Sequence, residues 1–277
     1  MNLTLGLSPC PNDTFIFDAL LHHKIDTEGL SFSYQLEDVE TLNQMARSAQ
    51  LDVSKVSYGA VSQLVPRYRV LDAGGALGKG VGPLLVAHHP IASDELIRST
   101  IALPGNFTTA HLLFAMAYPE VEQKVFMPFH LIEEAVLSGD VDAGVIIHEN
   151  RFTFADKGLI ALADLGDVWE TATELPIPLG GIVARRSYDG ALLSKINRCI
   201  ERSVRYALEH RNQLPEFVTQ HAQEMSTDVM NQHIDLYVNE YSIALGTQGR
   251  AAVWKLLEAS LGLHREPVGS HYEVFMD

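Results

Sequence analysis

The chain has 277 residues, 47% of them hydrophobic and 20% charged, which is enough apolar material for one large domain or two modest ones and too much for a disordered chain. Its 35 acidic against 20 basic side chains leave a formal charge of -15. That balance argues against nucleic acid as a main partner, because phosphate backbones demand clustered bases, yet a few local donors suffice for an anionic small molecule.

No window approaches the roughly 18 consecutive apolar residues of a membrane span, so no membrane partner is expected. The start, Met1 to Leu7, lacks the basic and apolar regions of a secretory signal. Two cysteines, Cys10 and Cys199, lie far apart and read as reduced thiols. The expected compartment is the cytoplasm. Nothing in the sequence sets the oligomeric state.

In chain order, Leu3 to Leu7 reads as a strand that stops at Ser8-Pro-Cys-Pro11, where helix is forbidden. Asn12 or Asp13 is expected to cap a helix over Thr14 to His23. Strand, tight polar loop (Asn12, Asp13, Thr14) and helix start together predict a pocket for an anion or hydroxyl. A second strand follows over Leu30 to Leu36. Asp38 then caps a helix whose apolar positions Val39, Leu42 and Ala46 keep helical spacing. Residues 52–57 form a third strand and Tyr68 to Ala73 a fourth.

The glycine-rich stretch Gly74 to Gly82 fails both phosphate-loop patterns: Gly80 follows Lys79 where Ser or Thr is needed, and Pro83 stands where a dinucleotide fold needs glycine. It reads as a flexible loop leading into a crossing strand, Pro83 to Ala87.

A second strand–helix series begins near residue 90. Thr100 to Leu103 is a strand, and Thr108-Thr109 opens a helix over Ala110 to Ala117. Those hydroxyls and the free N–H groups of a helix start suit a carboxylate or phosphate; a plain helix cap is the alternative. Val125 to Pro128 is a strand, 131–138 a helix, and Ala143 to Ile147 a buried strand. Leu175 to Arg185 reads as a return strand. Leu192, Ile196, Ile200, Val204 and Leu208 then mark a helix, with further helices over 213–223, 227–239 and 247–261.

The resulting fold class is α/β, with two lobes around a cleft: residues 1–88 and 178–277 in a larger discontinuous lobe, 89–177 in a smaller one, and helices at the C-terminus. Two crossings of the chain imply a hinge.

The chemistry converges on Ala143 to Phe154, AGVIIHENRFTF. His148 stands at the carboxyl end of a buried strand, where ligands bind in open α/β sheets, and imidazole suits proton transfer near neutrality. It reads as a general base facing the cleft; the alternative is a strand-end histidine bonded to a loop. Lys55 either neutralises a substrate anion or snorkels at the surface. Cys10 reads first as a small residue packing its loop, with a stabilised thiolate as the rival. The twelve histidines show no metal-ligand spacing, so no metal is expected. Ser57 lacks the glycine frame of a nucleophile elbow.

Taken together, Ser8-Pro-Cys-Pro-Asn-Asp-Thr-Phe-Ile-Phe17, Lys55-Val-Ser-Tyr58, Gly74-Gly-Ala-Leu-Gly78, Thr108-Thr109-Ala110 and Ile147-His-Glu149 followed by Arg151-Phe-Thr153 resemble the 1,4-dihydroxy-6-naphthoate synthases. The match runs in order from residue 3 to about 240. The resemblance implies a periplasmic-binding-protein type II fold used as an intracellular enzyme. It implies conversion of cyclic dehypoxanthine futalosine to 1,4-dihydroxy-6-naphthoate in the futalosine route to menaquinone, without metal or organic cofactor. The family's base falls on His148, and its substrate contacts fall on Lys55, Val56, Ser57, Thr108 and Thr109. The rivals are a chorismate dehydratase of the same pathway, which would lack the His-Glu-x-Arg-Phe-Thr stretch, and a non-catalytic receptor for an aromatic acid.

Overall fold

The computed structural model describes residues 1–222, 226–264 and 273–276. Eleven strands are found among them: β1 (Asn2–Leu7), β2 (Ser31–Leu36), β3 (Val53–Ser57), β4 (Tyr68–Val70), β5 (Ala76–Gly78), β6 (Leu84–Ala87), β7 (Ile101–Leu103), β8 (Lys124–Phe126), β9 (Ala143–Ile146), β10 (Ile160–Asp164) and β11 (Ile177–Arg185). They form two sheets, one in the order β2-β1-β3-β11-β4 with β5 also on β11, the other β10-β6-β9-β7-β8.

Within the first sheet β1 runs parallel to β2 and β3, as strand–helix–strand crossovers require, while β11 enters antiparallel to β3, β4 and β5. The second sheet repeats the plan: β7 is parallel to β8 and β9, and β6 is antiparallel to β9 and β10. By sheet membership the first crossing lies between Gly78 and Leu84, a few residues before the expected 88/89 boundary, and the return lies between Asp164 and Ile177. The chain has an α/β fold, and the first crossing, through Val81, Gly82 and Pro83, lines the cleft.

Local chemistry explains most element boundaries. The helix Pro11–Leu21 starts earlier than the sequence suggests, with Cys10 at the cap and Pro11 in the first turn. Proline there loses no helical hydrogen bond, since that N–H would be orphaned anyway. Asp13 is thereby freed from capping, and Asn12 with it. Asp38 does cap Val39–Arg47, accepting from the N–H groups of Glu40 and Thr41.

The long helix Gly190–Glu209 buries Leu193, Ile196, Ile200, Val204 and Ala207 and packs along Pro11–Leu21. Leu192 and Leu208, the ends of the expected i+4 row, are only partly buried, because a strict four-residue step drifts around a 3.6-residue helix. The glycine-rich segment is not wholly loop: β5 forms inside it and pairs with β11, where Gly181 admits the ring of Tyr58, whose hydroxyl would lie 2.3 Å from any Cβ there. Among the described residues no helix is long and apolar enough to cross a membrane.

Candidate active site

The cleft is lined by residues from both sheets and from a C-terminal helix, and encloses about 700 Å³ including its open mouth. From β3 come Lys55 and Ser57, and from the loop and helix after β1 come Ser8, Asn12 and Asp13; on the second sheet's side stand Thr108, Thr109, His148 and Arg151, in the segments after β7 and β9; from Thr227–Tyr237 come His233 and Tyr237.

Strand alternation decides which residues of β3 arrive. Lys55 and Ser57 face the cleft, whereas Val56 is fully buried in the core on the opposite side. The Val56 side chain therefore does not reach the cleft, which leaves its backbone for the expected substrate contact. The expectation for Thr14 is corrected: it is fully buried, its hydroxyl donates back to the Cys10 carbonyl at 3.0 Å, and it does not line the cleft.

Lys55 is neither exposed nor snorkelling. Its ammonium donates to Asp13 Oδ1 at 2.6 Å, with side-chain exposures of 7% and 0%. Asp13 also accepts from Asn12 Nδ2 at 2.8 Å, from the Ser8 hydroxyl at 2.8 Å and from the Ser8 N–H at 3.2 Å. Each Asp13 oxygen thus accepts two hydrogen bonds. Asn12 passes the network on, accepting from His233 Nε2 at 2.9 Å.

Thr108 caps the helix Thr109–Ala117, accepting from the His111 N–H at 3.2 Å while donating to the Gly105 carbonyl at 2.9 Å. Thr109 donates to the Leu179 carbonyl at 2.8 Å and accepts from the Gly59 N–H at 3.0 Å. It thus joins the second-sheet helix to β11 and to the turn after β3. Gly59 permits this approach, since a Cβ there would stand 2.9 Å from the Thr108 carbonyl oxygen and the Thr109 nitrogen.

His148 follows β9 with a left-handed φ of 59°, uncommon for a residue with a side chain and of the kind that clusters at functional sites. Its Nδ1 lies 3.4 Å from Cys10 Sγ, and its ring meets Phe129 edge-on at 4.9 Å. Although the residue as a whole is half-buried, Nε2 is covered and has no hydrogen-bond partner among the described residues. Burial pushes its pKa down to about 4, only partly opposed by Asp13. His233 stacks at 6.2 Å from His148 and is held well below the usual histidine range by burial, then by His148.

Both imidazoles are neutral at pH 7. In the unfolded chain each titrates near 6.5, so the unfolded state binds more protons below that value. Stability is expected to fall as pH drops from about 6.5 through 4, read as a falling urea midpoint between pH 7 and pH 5. An unchanged midpoint would mean that neither ring is held neutral.

Burial, and then Glu149, raises the Cys10 thiol well above its ordinary value. Cys10 Sγ, a His148 nitrogen and a Glu149 carboxylate oxygen all lie within 4.8 Å of one another, the one such trio with metal-ligating atoms among the described residues. Sequence spacing hid it, since Cys10 and His148 are 138 positions apart.

A family model described as menaquinone biosynthesis matches residues 3–260. The chain belongs to that family. It is 44% identical over 254 residues to a 1,4-dihydroxy-6-naphthoate synthase of Thermus thermophilus, covering 92% of each chain. It is 43% identical over 260 residues to the synthase of the same name from Streptomyces coelicolor, covering 92% of this chain and 91% of that one.

Among solved structures, a protein of Archaeoglobus fulgidus superposes with a TM-score of 0.89 at 34% identity, covering 95% of this chain and 98% of the other. The periplasmic aliphatic sulphonate binding protein of Escherichia coli matches at 0.66 and 12% identity, covering 95% and 87%. At that identity it speaks for the fold alone, which is that of the periplasmic binding proteins.

In this family member, sequence reasoning missed His233, Tyr237 and the pairing of Cys10 with His148. His233 carried a readable signal: it sits on the buried stripe Met230, His233, Ile234, Tyr237, where a polar ring needs a partner. Arg151, left without a role, pairs with Asp164 at 2.8 Å and donates to the Gly82 carbonyl, tying the turn after β9 to the first crossing.

Proposed function

We propose that the chain is a 1,4-dihydroxy-6-naphthoate synthase that opens cyclic dehypoxanthine futalosine by proton removal at His148. The observation that carries this reading is the neutral imidazole of His148 in the cleft of a chain 44% identical to a synthase of that name. In the tautomer that carries its hydrogen on Nδ1, 3.4 Å from Cys10 Sγ, the lone pair is on Nε2, which has no hydrogen-bond partner among the described residues. Proton removal there triggers opening of the spiro ring; carbon–carbon cleavage and aromatisation follow. Aromatisation supplies the driving force, so the protein positions groups and moves protons.

The substrate carboxylate and hydroxyls are met by Ser57, by the Lys55–Asp13–Asn12 network and by the start of the helix Thr109–Ala117. There the N–H groups of Thr109 and Ala110 have no acceptor within the helix. One lone pair of the Thr108 hydroxyl remains for a ligand, so Thr108→Val should mainly raise KM, with a cap loss of about 1 kcal/mol in stability. Thr108→Ser should restore both. A KM unchanged by the valine would remove Thr108 from substrate binding.

The reaction itself is tested by incubating purified protein with cyclic dehypoxanthine futalosine, and separately with chorismate, and following products by mass spectrometry. Release of the naphthoate supports the proposal. Turnover of chorismate instead, or binding without turnover of either compound, sinks it.

A further inference from the structure

The surroundings of His148 carry more than a base needs. Cys10, His148 and Glu149 bring a thiol, an imidazole and a carboxylate within 4.8 Å of one another beside the cleft that His148 lines. We propose that these three side chains form a binding site for a thiolate-seeking divalent cation of the zinc class, and that its occupancy switches His148 off as a base.

The geometry suits the ion. Sulfur and nitrogen ligands at about 2.3 and 2.0 Å from a tetrahedral zinc stand about 3.5 Å apart. Cys10 Sγ and His148 Nδ1 are 3.4 Å apart as they stand. One soft, one borderline and one hard donor match zinc better than magnesium or calcium, which take oxygen. Three protein ligands leave a fourth position for water or substrate. His233 Nδ1, on a fully buried side chain and without a hydrogen-bond partner among the described residues, points to the same place, 3.7 Å from Glu149 Oε2.

Charge also favours it. Cys10 is 4% exposed and Glu149 1%. A thiolate is costly in such surroundings, and a divalent cation offsets the charge of the one that forms on binding. On binding, the Cys10 S–H bond breaks, sulfur keeps the electron pair and bonds the metal, and the proton leaves to solvent. Metal on Nδ1 obliges the neutral ring to carry its hydrogen on Nε2, the atom assigned above as the base. The switch-off therefore rests on the proposed function; metal binding does not.

The test uses the full chain and Co²⁺ alone as probe. One equivalent should produce a thiolate-to-cobalt charge-transfer band with release of a proton, and Zn²⁺ should abolish the band by displacement. Cys199→Ser, which changes the other thiol, should keep the band, and Cys10→Ser should lose it. No band in the unaltered protein, or a band that survives Cys10→Ser, overturns the site.

Should Cys10→Ser fail to fold, alkylation of the unaltered protein decides. Slower labelling of Cys10 with Zn²⁺ present supports the site, and equal labelling overturns it. In active protein, stoichiometric Zn²⁺ should lower turnover at least tenfold, restored by a chelator. Undiminished turnover with the cation bound overturns the switch. A protein that binds Co²⁺ but releases no naphthoate keeps the site and loses the functional reading instead.

Discussion

Replacing His148 with asparagine is expected to lower kcat by about 10²-fold or more while leaving KM within a few-fold. Asparagine retains polarity and much of the volume but accepts no proton at neutral pH. The split between the two constants matters, because a merely structural histidine at this turn would alter both through the packing of Phe129 and Cys10.

The pH profile gives an independent reading. A base held at about 4 is already deprotonated at pH 6, so kcat/KM should stay level from neutrality downward and fall only near that value. Steady-state kinetics of both proteins decide it. If the asparagine variant keeps most of its turnover, the base lies elsewhere.

Lys55→Met should cost about 3 kcal/mol of stability. Removing one partner of a buried ion pair typically costs about 3–5 kcal/mol, because the other charge is left uncompensated. Asp13 keeps three donors, the Ser8 hydroxyl, the Ser8 N–H and Asn12 Nδ2, which places the loss at the lower end of that range. Removing the charge as well, in Asp13→Asn combined with Lys55→Met, should recover a large part of the loss, since the buried anion is gone. Urea unfolding with an unchanged slope measures both. A single variant within about 0.5 kcal/mol of the parent would show that the pair is not in low-dielectric surroundings.

The sequence was legible where local chemistry sets the answer. Asp38 could cap a helix and does; Thr108 closes one helix start; β9 and His148 follow from an apolar run ending in polar residues. It was silent from Asn150 to Thr173, where the helix Asn150–Thr153, the strand β10 and the helix Leu165–Thr173 all went unread. The apolar run from Leu159 to Leu165 is too short for periodicity to separate strand from helix, and β10 exists because β6 offers it an antiparallel edge.

Site residues divide the same way. Lys55 and Ser57 are readable from a motif, but that Val56 between them turns away requires the pleat. Asn12 and Asp13 reach the cleft wall and Thr14 does not, because Pro11 starts the helix and rotates Thr14 inward. The company of Cys10, His148 and His233 is made only by tertiary folding, and no spacing rule reaches that far.

The antiparallel entry of β11 between β3 and β4 also sets a timetable for biosynthesis. On the ribosome, β1, β2 and β3 emerge early, yet the outer edge of β3 waits for residues 177–185. At about 5–20 residues per second the intervening chain takes roughly 6–24 s to be made. Throughout that interval a nascent protein carries an open strand edge. An edge of that kind is a template for wrong pairing until β11 is made and covers it.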